Sequence, residues 1–241
     1  MFFLEAILNF DLSVFDFVAN HIWADWLNPI MQFITTLGDG WFFPLLAVIL
    51  LIPKKTRKVG LAMLFALGIM LVINNYILKP LIARPRPYFF FDLAMIDKEM
   101  IPSEYNGLTE IHKNYEILVE KCKENLAAYP ELAQKWLATY KFPYIEEIHR
   151  SFSFPSGHTS SSFAAAMAAT LASKKWKVSV PAFILAAIIG FSRIYVHVHF
   201  CTDVLAGAAV GIIYGIIGYF VAKFVFGLIE KAIAKRAAKK A

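Results

Sequence analysis

Apolar residues in this 241-residue chain run in long blocks, 28–52, 59–78, 153–172, 178–198 and 202–228, rather than along one helix stripe or at alternate strand positions. Crossing the hydrocarbon core of a bilayer takes about twenty apolar residues in a helix. Each block reaches that length, so the pattern predicts membrane-spanning helices. The first block is interrupted by Thr35, Thr36, Gly38, Asp39, Gly40 and Pro44 and reads as a short helix, Trp41 to Ile52, preceded by a re-entrant or interfacial piece. Ahead of it, Phe2, Phe3, Ala6, Ile7, Phe10, Val14, Phe15, Phe17 and Val18 recur at roughly helical spacing among Glu5, Asp11 and Asp16. That segment lacks the basic start and small-residue cleavage site of a signal peptide, and predicts an amphipathic helix in the membrane interface. The expected fold is all-α: a polytopic membrane helix bundle of five transmembrane helices, or six, with a helical extracytoplasmic insert.

The insert is the polar stretch 84–150, which opens among Pro80, Pro85, Pro87 and Pro102. From Asp92 to Arg150 it holds 11 Asp and Glu against 7 Lys and Arg, with helical periodicity around Leu108 to Leu126 and Pro130 to Tyr140. Its aromatic residues, among them Phe89, Trp136 and Tyr144, suit a membrane surface, as a lid over a site or a solvated cap. The expected organisation is an interfacial helix over 1–26, two transmembrane helices in 27–83, the insert over 84–150, three transmembrane helices in 151–230 and a basic tail, 231–241. At 59% hydrophobic and 17% charged, the composition excludes an ordinary soluble domain. The net charge of +6 needs locating before it means anything. It lies in Lys54, Lys55, Arg57 and Lys58, in Lys174, Lys175 and Lys177, and in the tail. With no basic patch set among exposed aromatics, nucleic acid is not an expected partner. Positive connections stay cytoplasmic, so five spans put the insert and one rim of the bundle outside the cell, at the plasma membrane. Cys122 and Cys201 sit in unlike contexts and suggest no disulfide framework.

Chemically suggestive residues gather on that outer rim, in three segments. Lys79, Arg84 and Arg86 fall within eight residues stiffened by prolines, a set of donors suited to a multiply charged oxyanion, or to anchoring at lipid headgroups. FPSGHTSSS, residues 154–162, begins the third span: Ser156, Gly157 and free backbone N–H groups at a helix N-terminus favour an anion, and His158 in the first turn can give a proton to a leaving oxygen. The plainer reading there is an N-cap followed by small packing residues. In SRIYVHVHFCTD, residues 192–203, Arg193 ends the fourth span, and His199 and Asp203 stand four apart, on one face if helical. A carboxylate so placed fixes the imidazole tautomer and leaves the other nitrogen as a nucleophile, unless the two are a satisfied core pair. His197 would face elsewhere and reads as structural. Lys79, Arg86 and Arg193 would repel a divalent cation that has one carboxylate to hold it, so no metal is expected. Fixed cations can themselves neutralise a phosphoryl group in transfer.

The three segments together resemble the signature of the type 2 phosphatidic acid phosphatase family: K-x6-R-P at Lys79, Arg86 and Pro87; P-S-G-H at Pro155 to His158; S-R-x5-H-x3-D at Ser192, Arg193, His199 and Asp203. The resemblance covers the second to fifth spans and leaves the insert outside. It implies that His199 attacks phosphorus to form a phosphohistidine, that Asp203 orients and charges it, and that His158 protonates the leaving group. Lys79, Arg86 and Arg193 would grip the phosphoryl oxygens, Ser156 and the Gly157 N–H would add hydrogen bonds, and water would complete the cycle without a cofactor. The implied substrate is a lipid phosphate. The five-span layout is similar to that of bacterial undecaprenyl pyrophosphate phosphatases; a phosphatidate or phosphatidylglycerol phosphate phosphatase is the alternative. Some dedicated undecaprenyl pyrophosphatases carry Asp where this chain has Gly157. A transporter or lipid-binding scaffold is the rival of another class, but transporters place polar groups at the midplane rather than on one rim. Vanadate-dependent peroxidases share the signature and are soluble, unlike this chain. Gly207, Gly211 and Gly215, spaced by four, predict a close helix-packing seam.

Overall fold

The computed structural model describes residues 2–82, 84, 86, 87 and 152–238; the insert with its predicted helices around Leu108 to Leu126 and Pro130 to Tyr140 lies outside the described residues. Regular structure among the described residues is helical, without a strand. In chain order the helices are α1 (Phe2–His21), α2 (Asn28–Thr36), α3 (Phe42–Leu51), α4 (Arg57–Ile73), a π-helical turn (Asn74–Leu78) leading into α5 (Lys79–Ile82), α6 (Gly157–Ser173), α7 (Trp176–Tyr195) and α8 (Cys201–Ala238). Among the described residues, three helical stretches are long and apolar enough to cross a membrane: Arg57–Ile82, Trp176–Tyr195 and Cys201–Ala238. The 17-residue α6 packs among them, against α4, α7 and α8.

The bundle is apolar outside and small or polar within. Leu71, Val72, Ile184, Ile213 and Phe220 are exposed on its flanks, whereas Ser160, Ser161, Ser162, Ala164, Ala165 and Ala168 of α6 are buried. Lipid is as apolar as leucine, so helices in it associate through close backbone approach and internal polar bonds. The glycine seam is internal and joins α8 to α6: a methyl carbon placed on Gly211 would lie 2.6 Å from the Ser160 carbonyl oxygen. Asn74, fully buried in the π turn, donates to Ser160 Oγ at 2.9 Å and accepts from the Tyr214 hydroxyl at 2.9 Å, tying α4 to α6 and α8. The π turn carries an extra residue per turn, which rotates Lys79 relative to the face of α4.

Several predicted boundaries move. The interrupted first block divides into α2, a turn around Gly38–Gly40, and α3, which falls within the predicted short helix Trp41 to Ile52. The fourth span stops at Tyr195 because His197 takes a left-handed backbone conformation, φ 54°. Past residue 228 the helix α8 continues through Lys231, Lys235 and Arg236 to Ala238. At about 1.5 Å per residue this helix outruns a hydrocarbon core of about 30 Å, so its basic end emerges into water. The apolar face of α1 is not left bare: it buries Leu12, Phe15, Val18 and Ala19 against Ile194, Tyr195, Phe200 and Val204 at the α7–α8 turn. Phe10 and Phe17, which the pattern counted with that face, are exposed.

Candidate active site

The site lies at one end of the bundle, where α5, α6, the α7–α8 turn and the start of α8 meet. α6 begins there because Ser156 caps it: its Oγ accepts the Thr159 N–H at 3.5 Å and the Thr159 hydroxyl at 3.0 Å. The Ser156 side chain is fully buried in this cap, so what faces outward from the first turn is backbone. The Gly157 and His158 N–H groups belong to the first turn, which has no intrahelical acceptors for them. Lys79 reaches this turn: a methyl carbon on Gly157 would come within 3.9 Å of its Nζ. His158 Nε2 lies 2.8 Å from Asp39 Oδ1, in the turn between α2 and α3. Gly38 makes that approach possible, since a methyl carbon there would sit 2.6 Å from His158 Cδ2.

His199 and Asp203 meet, but not as successive turns of one helix. α8 starts at Cys201, so His199 stands in the turn before it, and both residues are buried. Asp203 acts as an acidic first-turn group whose Oδ2 accepts the Phe200 N–H at 2.9 Å. His199 Nδ1 is 3.7 Å from Asp203 Oδ2, and Ser153 stands between them, 3.3 Å from Nδ1 and hydrogen-bonded to Oδ2. Nδ1 is thereby turned toward the carboxylate and Nε2 away from it. Burial is the main reason His199 protonates far less readily than free imidazole, with a pKa lowered to about 3; the Asp203 hydrogen bond opposes the shift, and the charges of Arg86 and Arg193 add to it. The ring is therefore neutral at physiological pH, the form in which a nitrogen lone pair can react. His197, read as structural, is buried with its ring 5.0 Å from that of Phe15.

Two arginines stand by both histidines, and Lys79 stands by the arginines. Arg86 and Arg193 both act electrostatically on Lys79, on His158 and on His199. Arg193 is almost fully buried and donates to Thr35 Oγ1 at 2.6 Å; Arg86 makes a long contact, 3.4 Å, with the Val198 carbonyl. A cluster of like charges in one pocket is stable only against an anion or fixed dipoles, and a phosphoryl group in transfer meets that need. Arg84 departs from the expectation that grouped it with these donors. Its guanidinium is engaged by two carboxylates, Asp11 Oδ2 at 2.6 Å and Asp203 Oδ1 at 2.7 Å, and turns to the back of the site.

Asp39, Ser153, Thr35 and Asp11 escaped the sequence reading. Asp39 had a signal, an acid between two glycines in an apolar block, and Asp11 had one in sharing a helix face with Leu12, Phe15 and Val18. Ser153 and Thr35 carried none, being hydroxyls among many near span ends.

Apolar helices with cations and two histidines gathered at one end define an integral membrane protein, helical throughout its described residues. Residues 58–226 match the PAP2 superfamily, and the chain belongs to that family. It is a phosphatase by that membership. The undecaprenyl-diphosphatase of Sulfolobus acidocaldarius is 24% identical over 207 residues, 86% of this chain and 76% of that protein. A lipid A 1-phosphatase of Porphyromonas gingivalis is 42% identical over 76 residues, 31% of this chain; the match spans 17% of that longer protein. Among solved structures, a transmembrane PAP2-type phosphatidylglycerolphosphate phosphatase from Bacillus subtilis superposes with a TM-score of 0.55 at 26% identity, covering 94% of this chain and 87% of that one.

Proposed function

We propose that this protein removes the terminal phosphate of a lipid phosphate at the extracytoplasmic face of the plasma membrane, with His199 as nucleophile and without a metal or other cofactor. The observation that carries the proposal is that Arg86 and Arg193, whose charges also bear on Lys79, stand by a neutral, buried histidine whose Nδ1 faces a carboxylate. His199 Nε2 attacks phosphorus while the bond to the leaving oxygen breaks, and His158 supplies that oxygen with a proton. Water then attacks the phosphohistidine, His158 takes a proton from it, and inorganic phosphate leaves with His199 restored. Asp203 holds the ring and offsets the charge it gains. Lys79, Arg86, Arg193 and the Gly157 N–H bind the phosphoryl oxygens, with Ser156 holding that N–H in place through the cap.

Undecaprenyl pyrophosphate is the favoured substrate, supported by the long alignment with the archaeal undecaprenyl-diphosphatase. Phosphatidylglycerol phosphate is the second reading, supported by the likeness to the Bacillus structure. Five spans, the insert 84–150 outside, and a site at the outer leaflet belong to the same proposal. Lys55, Lys58 and Lys175, gathered at the end of the bundle away from the histidines, support that sidedness. Phosphate release from undecaprenyl pyrophosphate, phosphatidate and phosphatidylglycerol phosphate, followed in detergent with EDTA beside His199→Ala, tests the reading. Release that persists in EDTA and falls by about 10⁴-fold or more in the variant is expected; an equally active variant overturns the mechanism, and the order of rates decides the substrate.

A further inference from the structure

Asp11 is a fully buried carboxylate on the apolar face of α1, and neither the proposed reaction nor the packing of that face requires it. A charge is retained in such a place only by its partners, and among the described residues the partners of Asp11 lead toward the His199–Asp203 pair. Oδ2 accepts from Arg84 NH2 and from the Thr202 hydroxyl, each at 2.6 Å; Oδ1 accepts the Thr202 N–H at 2.8 Å. The other Arg84 nitrogen donates to Thr202 Oγ1 and Asp203 Oδ1, both at 2.7 Å, and the guanidinium lies 4.0 Å over the Phe200 ring. Arg84 is fastened at its backbone too, where its carbonyl accepts the Ser153 N–H at 2.8 Å.

Arg84 is thus shared between two carboxylates. While Asp11 holds one side of the guanidinium and the first turn of α8, Asp203 gives Arg84 only Oδ1 and keeps Oδ2 for Ser153, the Phe200 N–H and His199. With Asp11 gone, Arg84 can swing fully onto Asp203, drawing its charge away from the imidazole, while Thr202 loses the acceptor of its N–H.

We propose that Asp11 is a positioning residue for catalysis: α1 docks on the active site in order to hold Arg84 and the start of α8, so that Asp203 keeps one oxygen on His199. The inference rests on the reading of His199 as nucleophile with Asp203 as its partner. Asp11→Asn keeps an acceptor for the Thr202 N–H and removes the charge that holds Arg84. On whichever of the three lipid phosphates the wild type hydrolyses fastest, presented in mixed micelles, the full-length variant should lose about 10–100-fold in kcat with KM unchanged, as expected for a group that orients another. Added to Arg84→Gln, the same change should cost little more, because both break one line of contacts. Wild-type kcat per folded molecule, or an equal fold-loss in both backgrounds, would make Asp11 a purely structural residue and overturn the proposal. If Asp11→Asn does not accumulate folded, Thr202→Val removes the hydroxyl that bridges Asp11 and Arg84; it should reproduce the kcat-specific loss more weakly, and an unchanged kcat overturns the proposal equally. His199→Ala, run alongside, separates the two readings: activity in that variant sinks the nucleophile assignment whatever Asp11→Asn does.

Discussion

Alanine at Gly207, Gly211 and Gly215 separates what the α6–α8 seam does for stability from what it does for the reaction. The new methyl carbon would lie 2.8 Å from the Ser156 carbonyl oxygen at Gly207, 2.6 Å from that of Ser160 at Gly211, and 2.6 Å from Met167 Cβ at Gly215. Non-bonded carbon atoms are comfortable at about 3.5–4.0 Å, so each substitution forces the helices apart by something on the order of 0.5–1 Å. Overpacking of this kind costs about 1–3 kcal/mol per site. All three variants should therefore lower the thermal midpoint of the detergent-solubilised protein by similar amounts. Their effects on turnover should differ. The atoms that Gly207→Ala displaces belong to the α6 cap, and the Ser156 N–H of that cap donates to the Asp203 carbonyl at 3.1 Å. Pushing them apart widens the gap between the turns that carry His158 and His199. A misplacement of about 1 Å costs on the order of 100-fold in rate, so Gly207→Ala should lose about 10–100-fold in kcat below its midpoint. Gly215→Ala, two turns deeper in the bundle, should keep kcat near wild type. Gly227→Ala is the control: among the described residues no atom lies within 4 Å of its added methyl carbon, and it should be neutral or gain up to about 1 kcal/mol of helix propensity. Midpoints unchanged in all three seam variants, or kcat lost as much at Gly215 as at Gly207, would refute this account.

Two further outcomes follow from the site. Asp39→Asn removes the carboxylate 2.8 Å from His158 Nε2, and kcat on lipid phosphates should fall about 10–100-fold. On p-nitrophenyl phosphate, whose leaving group needs no proton, the loss should be much smaller; equal losses on both substrates would remove His158 from the role of acid. The second concerns pH. Burial lowers the His199 pKa from its ordinary 6.5 to about 3, so unfolded chains take up this proton at a higher pH than folded ones. The stability tied to the neutral ring is fully present above pH 6.5 and is lost as pH falls from there toward 3. The thermal midpoint of the wild type should therefore drop more steeply over that range than that of His199→Gln, and parallel curves would show that the ring does not carry the shift.

The class of fold was legible along the chain because bilayer burial acts on consecutive residues. A helix must be apolar for about twenty positions to cross hydrocarbon, and such runs need no tertiary information to be recognised. The interrupted block before Trp41 and the small-residue run of α6 were legible for the same local reason. The three segments holding Lys79 and Arg86, Ser156 to His158, and Arg193 to Asp203 were legible through their family resemblance. Composition and charge alone brought them to one rim and went no further. Boundaries set by a single residue's backbone, such as the end of α7 before His197, or by continued helix into water, as in α8, were not marked by apolar runs.

What the sequence by itself determined is that the chain carries long apolar helices and the three signature segments of its family, since both depend on residue type and local order. Only the tertiary structure decided what those side chains lean on. Arg84 and Arg86 are two positions apart and equally charged, yet Arg84 turns back to Asp11 and Asp203 while Arg86 stays with Lys79 and Arg193. Asp11 is far from Arg84 in the chain, as Asp39 is from His158 and Thr35 from Arg193, and each pair meets within 2.6–2.8 Å. Ion pairs and hydrogen bonds are satisfied by whatever the packed bundle brings within reach. Packing of the α6–α8 seam and docking of α1 therefore settle the partners of the site, and neither leaves a periodic trace in the sequence.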